Sequence, residues 1–290
     1  MSEKKRVLTI GAFDLAKGVG MICIVIGHTI SRYQDPLMII NILIRVLGMG
    51  MMPMFFLISG IGCKKTKQKK LIKKMGKELL RPYLYVTVAV AVIFPLCHYL
   101  AFRWGPGAVQ EGIRTTLAYL TGSARSARTL FGVSLYECSI VWFFLALFWG
   151  TLILNLILGL QKQWKQIVAV CLCVAAGFVC IKANIWYFCI PQGLLAAGYM
   201  YFGYRIKKSG WLEQKWKWWQ IALLGVIAAV EIIWGETNLA YSIFKWGIFD
   251  YVGAGLTGLF MICIALWLNQ YNGVVSEVIG RIGRYTYYAM

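Results

Sequence analysis

The most restrictive feature of the sequence is the apolar stretch at residues 13–30, FDLAKGVGMICIVIGHTI, which carries Asp14, Lys17 and His28. At bilayer depth a charged side chain costs at least ~2.5–3.5 kcal/mol, so it is rarely there without a use. If the stretch is one helix, eleven steps of about 100° return His28 to within roughly 20° of Lys17, and about 16 Å further along the axis. Asp14 precedes Lys17 by three residues, a spacing at which a carboxylate can hold an ammonium. The three polar groups therefore share one face, which is predicted to point into the protein and away from lipid.

The composition of the whole chain is that of a membrane protein. Of its 290 residues, 60% are hydrophobic and 14% are charged, whereas soluble domains average ~25% charged. The net charge of +19 comes from lysines crowded between apolar runs, which is typical of cytoplasmic loops and argues against a nucleic-acid partner. No polar segment is long enough to form an independent soluble domain.

The apolar runs predict an all-α polytopic membrane protein with about nine transmembrane segments. The segments are expected near residues 13–30, 37–62, 79–101, 138–160, 165–181, 185–204, 218–234, 248–268 and from 278 onward. A helix needs about 20 residues to span, so the last segment is expected to be short or truncated. Pro53 removes a backbone donor and predicts a kink or break in the second segment. The glycine-rich GAGLTG from Gly253 predicts close helix packing.

Cations in the connecting loops set the expected orientation. Eight lysines lie between Lys64 and Lys77, and the positive-inside rule places them, with the N-terminus, on the cytoplasmic side of the plasma membrane. The block is interpreted either as an orientation signal that also binds anionic lipid, at ~1 kcal/mol per lysine, or as a landing site for an anionic cofactor. The two interpretations are compatible.

Residues 102–137 form the one long segment without a convincing span. By the same rule this segment lies outside, where it either covers a binding cavity or forms a surface loop with an interfacial helix. Most of the nine cysteines lie in apolar runs, where a thiol behaves as a small hydrophobe. The chain has only two histidines, so no metal site is predicted.

Five blocks of sequence together carry a resemblance. They are DLAKGVGMICIVIGH from Asp14, MMPMFFLISG from Met51, LLRPY from Leu79, VWFFLALF from Val141 and IGRYTYYAM from Ile282. The first contains Lys, ten residues and then His. The set resembles the membrane-bound acyltransferase-3 family, and within it the branch of fucose O-acetylase-like glycan O-acetyltransferases. The resemblance implies one transmembrane domain over residues 1–290 that moves an acetyl group from cytoplasmic acetyl-CoA to a hydroxyl of an extracytoplasmic carbohydrate or glycolipid.

The polar helix supplies candidate catalytic residues. Histidine titrates near pH 6.5 and is the usual general base, so His28 is predicted to take the proton of the acceptor hydroxyl; the competing interpretation is a hydrogen-bonded packing residue. Lys17 pairs with Asp14, sets the potential of a cavity, or contacts the acyl donor, and the family resemblance implies the last. Asp14 then keeps Lys17 charged and aimed.

The resemblance also implies a donor site. Lys17, Ser59, Lys77 and Arg81 are the predicted contacts of acetyl-CoA, with the Arg81 guanidinium as a bidentate phosphate clamp. The chain departs from the family in two places. Glu78 stands where related proteins often have the first Arg of an Arg-x-x-Arg pair, and Met51 stands where sugar acetylases often have His.

Two acidic residues near predicted outer ends, Glu137 and Asp250, are kept as candidate acceptor-site residues, although an interfacial position is the favoured interpretation of each. Two other function classes stay open. One is a small-solute transporter that uses the polar stripe as a permeation site, and the other is a membrane binding module of a larger assembly. Acetyl-CoA binding separates the enzyme from the transporter, while the sequence leaves the oligomeric state open.

Overall fold

The structure is a computed structural model, and it describes residues 3–30, 38–126, 128–211, 218–269 and 274–289. The chain forms two compact units. The first consists of Met1–Gly62, Phe202–Leu239 and Ile243–Met290, and the second of Cys63–Tyr201 and Ala240–Ser242. The single-domain organisation expected from the sequence stays a prediction.

Helices dominate both units. In chain order they are α1 (Glu3–Ile30), α2 (Met38–Gly62), α3 (Gln68–Met75), α4 (Arg81–Phe102), α5 (Gly105–Thr121), α6 (Trp142–Ile157), α7 (Gln163–Lys182), α8 (Ile190–Lys208), α9 (Trp218–Trp234), α10 (Ile248–Leu268) and α11 (Val274–Ala289). A π-helical turn, Gly76–Leu80, joins α3 to α4, and 3-10 turns precede α6 and α8. Two short antiparallel hairpins pair β1 (Arg128–Leu130) with β2 (Val133–Leu135) and β3 (Thr237–Asn238) with β4 (Ile243–Phe244).

The helical membrane fold predicted from the sequence is confirmed, and each predicted segment falls on a helix. Among the residues that the structure describes, four stretches are long and apolar enough to cross a bilayer: Gln68–Phe102, Ser139–Ile157, Gln163–Lys182 and Ile248–Leu268. Two further apolar helices, Met49–Gly62 and Trp218–Trp234, are shorter. By length and composition these four are candidate membrane spans, whereas the ninefold crossing stays a prediction.

In the first unit, α1 packs against α2, α10 and α11, and α10 also packs against α2 and α9. The core between α2 and α10 contains Phe56, Leu57, Leu259 and Ile262, all fully buried. Gly258 lets the backbones meet, because a β-carbon there would lie 2.7 Å from the Met54 nitrogen. The close packing expected around GAGLTG is confirmed.

In the second unit, α4 packs against α5, and α6 packs against α3 and the π turn. The β1–β2 hairpin covers α5 around a small core of Ala118, Leu135 and Trp186. Arg114 fastens the hairpin, since its Nε donates to the Ser134 carbonyl at 2.8 Å. The same guanidinium pairs with Glu111 at 2.9 Å and lies 4.6 Å from the centroid of the Tyr136 ring.

The structure adds detail to three local expectations. Helix α2 continues through Pro53 without a break, and the alternative expectation of a kink there stays a prediction. The helical stretch that contains the third segment begins at Gln68, since part of the lysine block is helical and runs through the π turn into α4; the span expected near residues 79–101 coincides with α4 itself. Residues 102–137 contain a helix, α5, and a hairpin, so this segment is folded and packs on α4.

Candidate active site

The candidate site in the first unit is built on α1. This helix is uninterrupted from Glu3 to Ile30, so the predicted helix through the polar stretch is confirmed. The Asp14 carboxylate holds the Lys17 ammonium at 2.8 Å, which confirms the ion pair expected from the i,i+3 spacing. Asp14 is buried and Lys17 keeps 29% of its side chain exposed. The ammonium is therefore anchored on one side and accessible on the other.

Helix α11 reaches this ion pair from the far end of the chain. A β-carbon at Gly283 would lie 1.6 Å from the Asp14 carbonyl oxygen, and one at Gly18 would lie 2.0 Å from the Ile279 carbonyl oxygen. The two glycines thus bring the backbones of α1 and α11 into direct contact at the level of Asp14. Arg284 follows immediately, and its Nε lies 3.5 Å from Asp14 Oδ2. Asp14 therefore carries two cations, one on each oxygen.

Arg284 is a site residue that the sequence interpretation missed. It belongs to the IGRYTYYAM block, one of the five that carry the family resemblance. The available signal was Gly283, since a glycine inside a helical pattern often marks a close backbone approach. Nothing in the sequence identified the partner of that glycine, because Asp14 lies far away along the chain.

His28 lies on the same helix as Lys17, eleven residues later, which at 1.5 Å per residue is about 16 Å. The side chain of His28 lies outside the residues whose side chains the structure describes, so its predicted role as general base is untested. The exposed side chains Val19 and Ile26 lie two and nine positions after Lys17. At about 100° per residue this puts them on the opposite side of α1, as expected if the polar face is directed inward. Val25, 58% exposed, lies in the C-terminal half of the helix, which is less covered by described residues.

Ser59 belongs to α2 in the first unit. Its hydroxyl donates to the Phe55 carbonyl, four residues earlier, at 2.9 Å. This bond occupies the hydroxyl proton but leaves the oxygen lone pairs able to accept. Ser59 could therefore accept from an amide N–H of the donor, while its proton stays with the helix.

Lys77 and Arg81 belong to the second unit, at the π-helical turn Gly76–Leu80. Lys77 lies inside the turn and Arg81 directly follows it, and both side chains are exposed. Such turns are rare and occur frequently at functional sites. Glu78, the residue that departs from the family pattern, lies 3.9 Å from Lys74. The acidic substitution is thus placed against a lysine of the same block.

The lysine block is fastened to the C-terminal end of α6 by Asn155, which is fully buried. Its amide nitrogen donates to the Thr66 carbonyl at 2.9 Å and to Gln68 Oε1 at 2.6 Å, while its amide oxygen accepts from the Thr66 N–H at 2.9 Å. Lys65 Nζ donates to the Asn155 carbonyl oxygen. The lysine block therefore has a defined position at this end of α6.

At the opposite end of α6, two connecting segments of the second unit are in contact. Glu137 lies just before α6, and its Oε2 accepts from the Tyr241 hydroxyl at 2.8 Å. Burial, and then the hydrogen bond to Glu137, raise the pKa of Tyr241 to about 12, so the phenol stays protonated and donates. Since α6 has 16 residues, about 24 Å of helix separates the Glu137–Tyr241 pair from the lysine block.

Asp250, the other acidic candidate, makes contacts in the first unit that stabilise the fold. It lies in the first turn of α10 and is fully buried, and its Oδ2 accepts from the Trp246 N–H at 2.7 Å. The Thr237 hydroxyl donates to Glu231 Oε1 at 2.8 Å and lies 3.3 Å from the backbone carbonyl oxygen of Asp250. These contacts fix the start of α10 against the end of α9, as a helix-capping carboxylate does.

The fold and site define a helical membrane protein whose first helix carries a buried carboxylate with two cations. A family model described as an acyltransferase domain matches residues 10–289. The chain belongs to the acyltransferase-3 family and is a membrane acyltransferase. No curated protein and no solved structure matches the chain. Within the described part of the chain, no group of three or more His, Cys, Asp or Glu residues is arranged to hold a metal ion.

Proposed function

We propose that this acyltransferase moves an acetyl group from acetyl-CoA to a hydroxyl of a carbohydrate or glycolipid. The observation that carries the proposal is the Asp14 site on α1. There a buried carboxylate fixes Lys17 at 2.8 Å, on one continuous helix and in register with His28. A structural ion pair would not need a titratable residue on the same face of a bilayer-depth helix.

The reaction requires one base and one donor site. His28 takes the proton of the acceptor hydroxyl, whose oxygen attacks the carbonyl carbon of the thioester. The carbon–sulfur bond then breaks, and coenzyme A leaves as the thiol after receiving the proton from His28. General-base assistance of this kind contributes typically 10²–10⁴-fold.

The donor is proposed to bind with its nucleotide toward the cytoplasmic side. Lys77 and Arg81 are exposed cations at a π-helical turn and suit phosphate oxygens, for which guanidinium offers bidentate donors. The fastened lysine block next to them raises the local concentration of anions, both coenzyme A and anionic lipid headgroups. Lys17 and Ser59 are proposed to contact the donor nearer the thioester.

The orientation follows from the same block. With the lysines on the cytoplasmic face, the N-terminus is also cytoplasmic and the acceptor is reached from outside the plasma membrane. The cluster around Glu137, at the other end of α6, then faces the extracytoplasmic side. A glycan or glycolipid at the cell surface is the acceptor that this arrangement favours. The sequence resembles the branch of fucose O-acetylase-like enzymes.

The decisive test compares His28→Ala and His28→Asn with the wild type, measured as acetyl transfer per correctly folded molecule in purified protein. Both variants should lose ~10²–10⁴-fold in turnover, about 3–5 kcal/mol in the barrier, because Asn can hydrogen-bond but cannot take a proton at neutral pH. Acetyl-CoA binding should persist in both. Turnover near that of the wild type in either variant would mean that the base lies elsewhere.

A second experiment addresses the donor site. Arg81→Ala should weaken coenzyme A binding in calorimetry, and added salt should weaken it too, since exposed charges are screened over about 8 Å at physiological ionic strength. Lys182→Ala, an exposed cation at the end of α7, is the matched control and should leave binding unchanged. Equal affinity in both variants would remove Arg81 from the site.

A transporter and a binding module are the competing functions. Neither needs an acyl donor, so absence of acetyl-CoA binding to the purified protein would favour them. Mass spectrometry of cell-surface glycans with and without the protein would identify the acceptor, and would distinguish acetyl from other acyl groups.

A further inference from the structure

A buried side-chain amide lies in the second unit, at the end of α6 that carries Glu137. Gln192 belongs to the first turn of α8 and is only 3% exposed. Its Nε2 donates to the Ala240 carbonyl and to the Ser242 hydroxyl oxygen, both at 3.0 Å. Its Oε1 is buried and has no hydrogen-bond partner among the residues that the structure describes. One half of the amide is therefore satisfied and the other half is not.

The direction of this amide is fixed by its partner. A backbone carbonyl such as that of Ala240 can only accept, so the amide nitrogen and not the amide oxygen must face it. An amide flip, the usual ambiguity for glutamine, would put two acceptors against each other. Gln192 Oε1 is consequently an acceptor held in a fixed direction, on the side of the amide turned away from Ala240.

An unsatisfied buried acceptor is costly, and most such atoms in folded proteins have a partner. The missing partner must be a hydrogen-bond donor. Because the group is a neutral carbonyl oxygen in a buried position, a neutral hydroxyl fits it better than a cation, which would lose its hydration without gaining a counter-charge.

A second acceptor belongs to the same cluster. Tyr241, between the two residues that hold Gln192, donates its hydroxyl to Glu137 Oε2 at 2.8 Å. An ionised carboxylate has about four lone-pair sites, so Glu137 can accept from a further donor after Tyr241 has taken one. Its side chain is half-buried, which leaves part of the carboxylate reachable. Gln192 and Glu137 are thus two acceptors joined by one loop, and a ligand that donates several hydrogen bonds suits them.

We propose that Gln192 and Glu137, held by residues 240–242, form a subsite for the hydroxyl groups of a polyhydroxylated acceptor. One ligand hydroxyl donates to Gln192 Oε1 and another to Glu137. The assignment of this ligand as the acyl acceptor rests on the proposed function, whereas the binding itself does not. Sites that hydrogen-bond a substrate hydroxyl discriminate strongly against analogues that lack it, so these two residues would set acceptor preference.

The test measures binding of the methyl glycosides of glucose, galactose, fucose and N-acetylglucosamine to purified protein in nanodiscs, without acetyl-CoA. Gln192→Met keeps the length of the side chain and removes the acceptor. It should weaken binding of the preferred glycoside about tenfold, the value of one good neutral hydrogen bond. Acetyl-CoA affinity should be unchanged.

Two controls separate binding from folding. Ser242→Ala removes one partner of Gln192 Nε2 but keeps Oε1 and the bond to Ala240, so it should leave glycoside affinity within about twofold. Gln166→Met removes a similar amide-to-carbonyl bond, to Leu160 at 2.7 Å, at the other end of α6, and should have no effect on binding. If Gln192→Met does not fold, Glu137→Gln is the second variant. It still accepts from Tyr241, and loss of its charge should weaken binding severalfold.

The outcomes are separable. Glycoside binding that is weakened by Gln192→Met or by Glu137→Gln supports the subsite, whether or not acetyl transfer is observed. If transfer is absent, that result counts against the proposed function alone. Transfer to a glycoside with unchanged affinity in both variants overturns the subsite and leaves the proposed function standing. No binding of any glycoside to the wild type overturns the subsite.

Discussion

The contact between α1 and α11 at Gly283 leads to a sharp prediction. A β-carbon at this position would lie 1.6 Å from the Asp14 carbonyl oxygen and 2.6 Å from the Gly18 nitrogen. Both atoms belong to the backbone of a helix, so neither can rotate away as the end of a side chain could. Gly283→Ala must therefore displace α11 from α1. Reaching an ordinary contact of about 3.4 Å requires a movement of about 1.8 Å.

That movement acts on the site. The Arg284 Nε is 3.5 Å from Asp14 Oδ2, and a further 1.8 Å would place the two groups beyond ion-pair distance. Overpacking of this kind costs typically 1–3 kcal/mol. Replacing Gly by Ala in a helix interior recovers up to about 1 kcal/mol through helix propensity. We expect a net loss of about 1–2 kcal/mol in stability, and a fall in activity because Asp14 and Lys17 lose their second support.

The matched control is Gly280→Ala on the same helix, where a β-carbon would meet nothing within 4 Å. This variant gains the helix propensity without the clash, so its thermal stability should equal or slightly exceed that of the wild type. The assay is the Tm in detergent together with acetyl transfer per folded molecule. Equal Tm and equal activity in the two variants would refute the close approach of α11 to Asp14.

Three further predictions concern the second unit. Asn155→Ala removes the hydrogen-bond partner of the Thr66 N–H and carbonyl oxygen, at about 1–3 kcal/mol, and should make the lysine block the first site of limited trypsin cleavage. Burial opposes ionisation of Glu111, but hydrogen bonds from Tyr136 and Arg114 lower its pKa below 4.5; its contribution to stability should be complete above about pH 4.5 and lost as the pH falls further, which Tm against pH measures for wild type and Glu111→Gln. A cysteine replacing Phe131, 97% exposed at the hairpin tip, should react with thiol reagents only from outside, and Cys63 only from the cytoplasm; labelling of both from one side would reject the proposed orientation.

Several site features could be predicted from the sequence because they are local. Asp14 and Lys17 are three residues apart on one helix, and helical geometry alone requires them to be neighbours. The register between Lys17 and His28 follows from the same period. Apolar runs likewise predict helices directly, because in lipid a spanning segment must satisfy its own backbone.

Contacts between distant parts of the chain could not be predicted in this way. The sequence contains Gly283 and Arg284, but only the packing of α11 on α1 brings them to Asp14. Gln192 had no signal at all, because a single glutamine in an apolar run has no period or motif. Its importance comes from Ala240 and Ser242, which belong to a loop between two later helices.

The sequence by itself determined the membrane class, the helices, the family and the polar face of α1, because hydropathy and helical period act over a few turns. The tertiary structure alone decided which segments meet: α11 contacts Asp14, the lysine block contacts Asn155, and residues 240–242 contact Gln192. Those contacts depend on the shape of the packed surfaces, such as the missing β-carbon of Gly283. Shape complementarity between segments that are far apart along the chain leaves no periodic trace in the sequence.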